Sequence, residues 1–254
     1  MTCGGFNMKA LFKTIIALLM LGIIVSACFV VSFCVFKYAD HDTNPHMTIT
    51  AHTGCEGSKA NTVQSMEAGY NAGADIIEFD LNFDGDKPVL AHTKVKGGET
   101  TFEDACKFLA EHPTLKANID VKKTDNMPAV MALITTYGLN LRVFFTGVKE
   151  EFVEAVKTGC PGIAYYYNCY PNLLKINNQK YLDELVQTVK DKGAIGINMH
   201  QLFISKKLVK TFHDNGLLVS IWTINDSYFA TRALYYAPDN ITTKRPAMLK
   251  NMVG

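Results

Sequence analysis

The chain has 254 residues, a formal net charge of +1 at pH 7 and 48% hydrophobic residues. This length predicts one medium-sized domain plus an additional segment. Because basic residues are not in excess, the composition does not indicate a nucleic-acid-binding surface. The 7 cysteines do not have the spacing of a zinc site, and the sequence indicates no particular oligomeric state.

The first predicted element is a continuous apolar run from Thr14 to Phe36. As a helix it would measure about 34 Å, which is enough to cross a bilayer. Lys9 and Lys13 precede the run, whereas the lysine that follows it is soon joined by two aspartates. The positive-inside rule therefore predicts a single-pass cell-membrane anchor with a cytoplasmic N-terminus and an extracytoplasmic main domain.

Two alternatives to an uncleaved anchor remain open. A cleaved signal peptide has an apolar region of only about 7–15 residues, which is shorter than this run. The segment Val25–Cys28 resembles a bacterial lipobox, in which Cys28 would be lipidated, although the sequence stays apolar beyond it. The predicted division is residues 1–37 as cytoplasmic stub and transmembrane anchor, 38–46 as tether and 47–254 as the main domain.

From Met47 onward, short apolar strands alternate with amphipathic helices. The predicted strands are Thr48–Ala51, Asp75–Leu81, Lys116–Val121, Leu141–Phe145, Gly162–Tyr166, Ala194–Met199, Leu217–Thr223 and Asn240–Thr242. The predicted helices are Asn61–Ala72, Thr101–Glu111, Pro128–Tyr137, Lys149–Thr158, Gln179–Lys192, Ser205–Asn215 and Asp226–Tyr235, with a last turn after Pro246. Strict alternation predicts a parallel sheet, and eight strands in about 205 residues predict a (β/α)8 TIM barrel. An open doubly wound sheet is the alternative, but no G-x-G-x-x-G follows the first strand.

Local signals agree with these boundaries. Asn61 is predicted to cap the first helix of the domain, with Gln64 completing a capping box. Gly138, Gly159 and Gly216 stand where helices should end in the left-handed conformation. Two cysteines farther along the chain, at positions 160 and 169, are either a disulfide or free thiols.

Polar residues gather at the predicted carboxyl ends of the strands, where TIM barrels place their sites. They are His52, Gly54, Glu78, Asp80, Asp120, Lys122, Asn198, His200, Trp222, Thr223 and Asn225, with His92 in the loop after the second strand. Glu78 and Asp80 are two apart, so both side chains lie on one strand face. Such like charges repel unless a cation joins them, and oxygen ligands suit Mg²⁺ or Ca²⁺. Taken by themselves, Glu78 and Asp80 could be the exposed face of an edge strand. The flanking histidines, His52 and His92, favour a metal site instead.

The motifs resemble the glycerophosphodiester phosphodiesterase family in type and order, over almost the whole chain after residue 47. They are His52-Thr-Gly54, Asn61-Thr62, Gly73-Ala-Asp-Ile-Ile-Glu78-Phe-Asp80, Pro88-Val-Leu-Ala-His92, Asn118-Ile-Asp120-Val-Lys122, Trp222-Thr-Ile-Asn225 and Ile241-Thr-Thr-Lys-Arg-Pro246. The resemblance implies hydrolysis of glycerophosphodiesters to sn-glycerol 3-phosphate and an alcohol. It implies that Glu78, Asp80 and Asp120 hold one divalent cation. It also implies that His52 and His92 are the general acid and base, and that the neighbouring glycerol hydroxyl attacks to give a cyclic phosphate.

Three further residues are candidate substrate contacts. Lys122 matches a basic residue of the family pattern and is predicted to meet a phosphate oxygen, with neutralisation of Asp120 as the alternative. Trp222 is predicted to cover the glycerol or head group, with ordinary barrel packing as the alternative. Thr53 replaces the arginine of the family's His-Arg-Gly, so the bidentate phosphate donor is lost at this position. His200 is predicted to make a structural hydrogen bond.

The sequence departs from the family at other positions too. Ala60 and Thr93 replace a glutamate and an aspartate, and Asp120 is shorter than the usual third glutamate ligand. One alternative is the related spider-venom-type phospholipase D group, which would act on a lysolipid or sphingolipid. Another is a non-catalytic barrel that binds phosphate or polyol ligands. Because both histidines are retained, we favour an enzyme.

Overall fold

The structure is a computed structural model that describes residues 8–38 and 44–253. The chain divides into two compact units, Met1–Asp40 and His41–Gly254. Residues 1–7 of the predicted stub and residues 39–43 of the predicted tether lie outside the described residues. The predicted three-part division therefore stays a prediction.

The first unit contains one long helix, α1, at Met8–Tyr38. Its segment Met8–Ser32 has a mean hydropathy of 2.8 and is long and apolar enough to cross a membrane. The helix begins before the predicted apolar run at Thr14 because no glycine or proline occurs between Met8 and Lys13. Its apolar side chains, such as Leu18 and Leu19, are exposed.

The second unit is a closed barrel of eight parallel strands, with one additional antiparallel strand. The strands are β1 Thr48–Ala51, β2 Ile76–Asp84, β3 Lys87–Leu90, β4 Lys116–Val121, β5 Val143–Val148, β6 Tyr165–Asn168, β7 Gly196–His200, β8 Leu218–Trp222 and β9 Asn240–Thr243. Pairing of β1 with both β2 and β9 closes the barrel, and β3 folds back on the end of β2. The predicted TIM barrel is confirmed, and the doubly wound alternative is wrong.

Helices cover the outside of the barrel, seven of them between consecutive parallel strands and the last, α9, after β9. They are α2 Val63–Asn71, α3 Phe102–Glu111, α4 Met127–Thr136, α5 Val153–Gly159, α6 Gln179–Lys192, α7 Lys206–Asp214, α8 Ser227–Tyr236 and α9 Pro246–Val253. Short 3₁₀ turns occur at Cys55–Gly57, Glu150–Phe152 and Gln201–Phe203. The predicted helices thus exist: Gln179–Lys192 has the predicted ends, and the others are shifted by a few residues.

The core is built by the alternation of side chains along the strands. On β2, Ile77, Phe79 and Leu81 are buried on the face that meets the helices, and Phe79 packs edge-on against Phe102 of α3 at 6.0 Å. Burying each such side chain contributes about 1.5–3 kcal/mol. The residues between them, Glu78 among them, face the barrel interior. The hydrophobic packing of β2 thereby fixes which side chains reach the site.

Two local predictions are wrong. Thr62 caps α2 by accepting a hydrogen bond from the Ser65 amide at 3.2 Å, whereas Asn61 has a left-handed φ of 57° and bonds elsewhere. Gly138 and Gly216 have the expected positive φ, but Gly159 does not. Glycine is needed at position 159 because a Cβ atom there would collide with Met127.

The cysteines of the barrel are free thiols in the structure. Cys160 is buried, and its Sγ donates a hydrogen bond to the Met127 carbonyl at 3.3 Å. Cys169 is half-buried near the end of β6. The free-thiol alternative for this pair is the one that the structure supports.

Candidate active site

A cavity of about 390 Å³ opens at the carboxyl ends of the strands. It is lined by His52, Glu78, His92, Asn118, Asp120, Val121, Lys122, Thr146, Gly147, Lys149, Asn168, Tyr170, Asn198, Trp222, Thr223 and Thr242. Residues far apart in the sequence meet there because parallel strands all end at the same mouth of the barrel. The predicted catalytic, metal-binding and substrate-binding residues other than Asp80 and Thr53 therefore line one cavity, and Asp80 and Thr53 contact residues of its wall. Gly54, His200 and Asn225, also predicted at the strand ends, do not line it.

Three carboxylates form a cluster at one side of this cavity. Glu78 and Asp80 are buried residues of β2, and the register of the parallel strands sets Asp80 directly beside Asp120 of β4. Each side chain offers an oxygen within 4.8 Å of the others. Side chains two apart on β2 share a face, so this clustering follows from the strand period and the register together.

The cluster is electrostatically unfavourable by itself. Burial raises the pKa of Glu78 well above its ordinary value, and the neighbouring charges of Asp80 and Asp120 raise it further. Burial also raises the pKa of Asp120, although Lys122 opposes this. Buried like charges retain their ionised form only when positive charge joins them. The cluster therefore favours the binding of a cation.

Lys122 supplies part of that positive charge. Its Nζ lies 3.0 Å from Asp80 Oδ1 and 2.6 Å from Asp120 Oδ2. Burial would lower the pKa of Lys122, but the two carboxylates outweigh burial and raise it above its ordinary value. One ammonium against three carboxylates leaves about two negative charges uncompensated. A hard divalent ion matches both this charge and the all-oxygen donor set.

Asn61 holds Asp80 from both sides. The Asn61 Nδ2 donates to Asp80 Oδ2 at 2.8 Å, and its Oδ1 accepts a hydrogen bond from the Asp80 amide at 3.0 Å. Asparagine is among the few residues that adopt the left-handed conformation found here. This role of Asn61 was not predicted, because the sequence pattern indicates a helix cap at this position.

Thr53 is a buried residue that supports the loop rather than the cavity wall. Its amide donates to Glu78 Oε2 at 2.7 Å, and its Oγ1 accepts a hydrogen bond from the Asn61 amide at 2.6 Å. Only 4% of the residue is exposed. The hydroxyl that was expected to meet substrate is thus already engaged, and Thr53 instead orients Glu78 and Asn61.

His52 follows β1 and contacts the acidic cluster. Its Nδ1 lies 2.9 Å from the Thr53 carbonyl and 3.9 Å from Glu78 Oε2. The carbonyl requires a proton on Nδ1, which leaves Nε2 as a proton acceptor in the neutral ring. Burial lowers the pKa of His52, the Thr53 carbonyl opposes this, and the charge of Lys244 adds to the lowering. A neutral ring with a fixed tautomer is suited to act as a base.

His92 lies in the loop after β3 and is exposed at the mouth of the cavity. The loop is held by Asn82 of β2, whose Nδ2 donates to the Ala91 carbonyl at 3.2 Å and to the Thr93 carbonyl at 2.7 Å. These two bonds fix the backbone on either side of His92. Asn82 lies on the same face of β2 as Glu78, a periodicity that could have identified it.

Trp222 ends β8 on the opposite side of the barrel from the carboxylates. Its ring meets His200 edge-on at 5.3 Å and Tyr170 at 6.3 Å. His200 accepts a hydrogen bond from the Leu202 amide at 3.3 Å, which confirms its predicted structural role. Among the described residues, no hydrogen-bond partner reaches the buried indole nitrogen of Trp222 or the buried Oδ1 of Asn198.

Gly147 is a site residue that was not predicted from the sequence. It lies in β5 with a φ of 70°, and a Cβ atom there would collide with Asp120 Oδ1. Its amide donates to Asn168 Oδ1 at 2.9 Å. Glycine at this position therefore provides the space that Asp120 occupies.

The fold matches solved structures of phosphodiesterases. No known protein-family model matches the chain, and none of the curated proteins does. A phosphodiesterase from Oleispira antarctica in complex with the product sn-glycerol 3-phosphate is 17% identical, with a TM-score of 0.68, over 81% of this chain and 96% of its own. A glycerophosphodiester phosphodiesterase from Parabacteroides distasonis is also 17% identical, with a TM-score of 0.67, over 82% of this chain and 96% of its own. That from Agrobacterium tumefaciens is 16% identical, with a TM-score of 0.65, over 81% and 99%. The likeness establishes the fold and agrees with the family resemblance of the motifs.

Proposed function

We propose that the barrel is a metal-dependent glycerophosphodiester phosphodiesterase. It would hydrolyse glycerophosphodiesters to sn-glycerol 3-phosphate and an alcohol. The observation that carries this proposal is the meeting of three carboxylates, one lysine and two histidines around a single cavity. The fold shared with phosphodiesterases, one of them bound to sn-glycerol 3-phosphate, supports the same substrate class.

Glu78, Asp80 and Asp120 would hold one divalent cation, Mg²⁺ or Ca²⁺. When bound, the cation neutralises charge on the phosphate oxygens and polarises the phosphoryl group. Asn61 and Thr53 hold two of these carboxylates in place. Lys122 keeps its proton between Asp80 and Asp120, so its ammonium is a fixed positive charge that a phosphate oxygen can approach.

The two histidines would move the protons. His52 accepts the proton of the glycerol hydroxyl next to the phosphate on Nε2, because the Thr53 carbonyl keeps the ring proton on Nδ1 and burial favours the neutral ring. That hydroxyl oxygen then bonds to phosphorus, and the bond from phosphorus to the alcohol oxygen breaks. His92 gives a proton to the departing alkoxide, and water opens the resulting cyclic phosphate with the two roles exchanged. Proton transfer of this kind contributes about 10²- to 10⁴-fold in rate.

The enzyme would act as a single-pass protein of the cell membrane, with the barrel on the extracytoplasmic side. Helix α1 supports this location by its length and hydropathy, and the lysines at positions 9 and 13 support the orientation. The alternative lipid anchor at Cys28 predicts a mature N-terminus at that residue. Mass measurement of the mature chain distinguishes the two.

Hydrolysis of glycerophosphocholine by the purified protein tests the activity. We expect glycerol 3-phosphate to be released with Mg²⁺ or Ca²⁺ and the reaction to stop with a chelator. His52→Ala and His92→Ala should each lower kcat by at least about 100-fold. His46→Ala, which alters an exposed histidine outside the cavity, is the matched control. Activity that survives both chelation and loss of His52 would contradict the assignment, and ligand-induced stabilisation without turnover would indicate a non-catalytic barrel.

A further inference from the structure

Lys149 brings a positive charge to the outer part of the cavity. It follows β5 directly and is one of the residues that line the cavity. Its side chain is 60% exposed, whereas those of Asp120 and Lys122 are 24% and 22% exposed. Lys149 is therefore nearer to solvent than the residues that would handle the phosphate. A diester whose phosphate meets the carboxylate cluster would place its outer end near this lysine.

A bulge in β5 turns Lys149 towards the cavity. Thr146 and Lys149 both line the cavity, although they are three residues apart and the inward side chains of a regular strand are two apart. The pairing of β5 with β6 shifts register between Phe145 and Val148, and Val148 is buried in the hydrophobic core. One extra residue in a strand re-aims the side chains that follow it. In a regular strand, Lys149 would instead point towards the helices.

Hydrogen bonds fix the backbone of this bulge. The Lys149 amide donates to the Gly147 carbonyl at 3.0 Å, and the Gly147 amide donates to Asn168 Oδ1 at 2.9 Å. The same Asn168 oxygen accepts a hydrogen bond from Asn198 Nδ2 at 3.2 Å. The lysine is thus carried on a rigid part of the barrel, which is what a residue that selects ligands requires.

The ammonium group of Lys149 is available to a ligand. Its Nζ lies 3.5 Å from Glu151 Oε1, but the two side chains are 60% and 59% exposed, and ion pairs at such exposed positions contribute little. Lys122, by contrast, is held between two carboxylates. Among the described residues that line the cavity, the acidic ones are Glu78 and Asp120, and both belong to the carboxylate cluster. The outer wall therefore presents a positive charge to the ligand.

We propose that Lys149 makes the enzyme select diesters whose alcohol part carries a negative charge, such as a carboxylate. A cation at this place attracts such a group and repels a quaternary amine such as that of choline. The inference rests on the proposed function, because the carboxylate cluster and the histidines must cleave the diester. It adds a specificity determinant that acts on the departing alcohol and is positioned by the bulge in β5.

Three diesters of sn-glycerol 3-phosphate with alcohols of similar size test this proposal. The alcohols are choline, its uncharged counterpart 3,3-dimethylbutanol, and 3-hydroxypropionate, which carries a carboxylate where choline carries its amine. The full-length protein, purified in an uncharged detergent with Mg²⁺ present, is assayed for kcat/KM. Kd is measured by calorimetry in the His92→Ala background, so that turnover does not interfere. Each ratio of two diesters is compared between wild type and variants, so that differences in the reactivity of the alcohols cancel.

Lys149→Met should lower the carboxylate-to-choline ratio of kcat/KM about 10- to 20-fold, as expected for unit charges about 5 Å apart in water. Lys149→Glu should lower the ratio by about the same factor again, and Lys149→Arg should keep the wild-type ratio. Added salt should bring the wild-type ratio towards that of Lys149→Met. Lys157→Met is the matched control, because Lys157 is an exposed lysine of α5 that does not line the cavity, and it should change nothing.

A ratio that Lys149→Met leaves unchanged would overturn the proposal, and so would equal changes in Lys149→Met and Lys157→Met. Tighter binding of the choline diester than of the dimethylbutyl diester would also overturn it. In that case the rings of Tyr170 and Trp222, which line the cavity as well, hold the amine.

Failure of the proposed function gives a different result. If no diester is hydrolysed while Kd still depends on ligand charge and on Lys149, the phosphodiesterase assignment fails and the charge selection by Lys149 stands. If all three diesters are hydrolysed in ratios that do not depend on Lys149, the reverse holds. Absence of both hydrolysis and binding would overturn both proposals.

Discussion

Glu78→Gln should change the stability of the barrel in opposite directions with and without metal. Glu78 is 4% exposed and accepts the Thr53 amide at 2.7 Å, a bond that the glutamine oxygen retains. One oxygen of each carboxylate in the cluster lies within 4.8 Å of the others. Two like charges at that separation repel by about 3 kcal/mol at an effective dielectric constant of about 20. Lys122 and partial protonation reduce this repulsion. We therefore expect the metal-free variant to gain about 1–2 kcal/mol, or about 2–8 °C in Tm.

Metal binding should reverse this order of stability, so that the wild-type protein is more stable than Glu78→Gln. A cation at 100 times its Kd stabilises the wild-type protein by about 2.7 kcal/mol, which corresponds to about 5–11 °C. The variant has lost one anionic ligand and should gain much less. The measurement is thermal unfolding, followed by circular dichroism, in chelator and in excess Mg²⁺ or Ca²⁺.

Glu67→Gln is the control for this comparison, because Glu67 is an exposed residue of α2 away from the cluster. It should leave both the chelator Tm and the metal-induced shift unchanged. A Glu78→Gln protein that is less stable than wild type in chelator would refute the electrostatic argument. Equal metal stabilisation of both proteins would refute Glu78 as a ligand.

Three other substitutions test residues that support the site. Asn82→Ala should lower kcat about 10- to 100-fold with little change in metal affinity, because it releases the loop that carries His92. An unchanged kcat in steady-state assays would contradict this. Asn61→Ala should raise the Kd for the activating metal about 10- to 100-fold in calorimetric titration, and an unaltered Kd would remove its orienting role. Gly147→Ala should destabilise the barrel by more than about 2 kcal/mol in denaturant unfolding, because the new Cβ atom collides with Asp120 and the backbone is strained. Gly138→Ala is the control: Gly138 also has a positive φ, 65°, but has open space around it. This variant should cost only about 1 kcal/mol.

The features that depend on local periodicity could be predicted from the sequence. The strands Thr48–Ala51 and Lys116–Val121 and the helix Gln179–Lys192 have the predicted boundaries, because turn residues delimit each apolar pattern. The spacing of Glu78 and Asp80 likewise predicted a shared face. Whether these residues hold a metal and perform catalysis stays a prediction.

Features that depend on distant contacts could not be predicted. Asn61 reaches Asp80 across 19 residues, and its left-handed backbone is not encoded in the helix-cap pattern that the sequence suggested. The fourth barrel strand is Val143–Val148, two to three residues later than predicted, because the chain turns where the Arg142 amide bonds to the Leu139 carbonyl. The glycine at position 147 resembles a strand terminator, yet its role is close approach to Asp120.

Strand β2 carries Glu78, Asp80 and Asn82 at successive inward positions, and the same ribbon continues through β3 to His92. Its length is therefore under stricter constraint than its composition. Insertion or loss of one residue between positions 76 and 82 would turn the remaining inward side chains outward. The exposed glycines at positions 97 and 98 lie beyond the paired strands, so a change of length there would not turn these side chains. Homologous chains should accordingly vary in length near positions 97 and 98 and keep a fixed number of residues between positions 76 and 82.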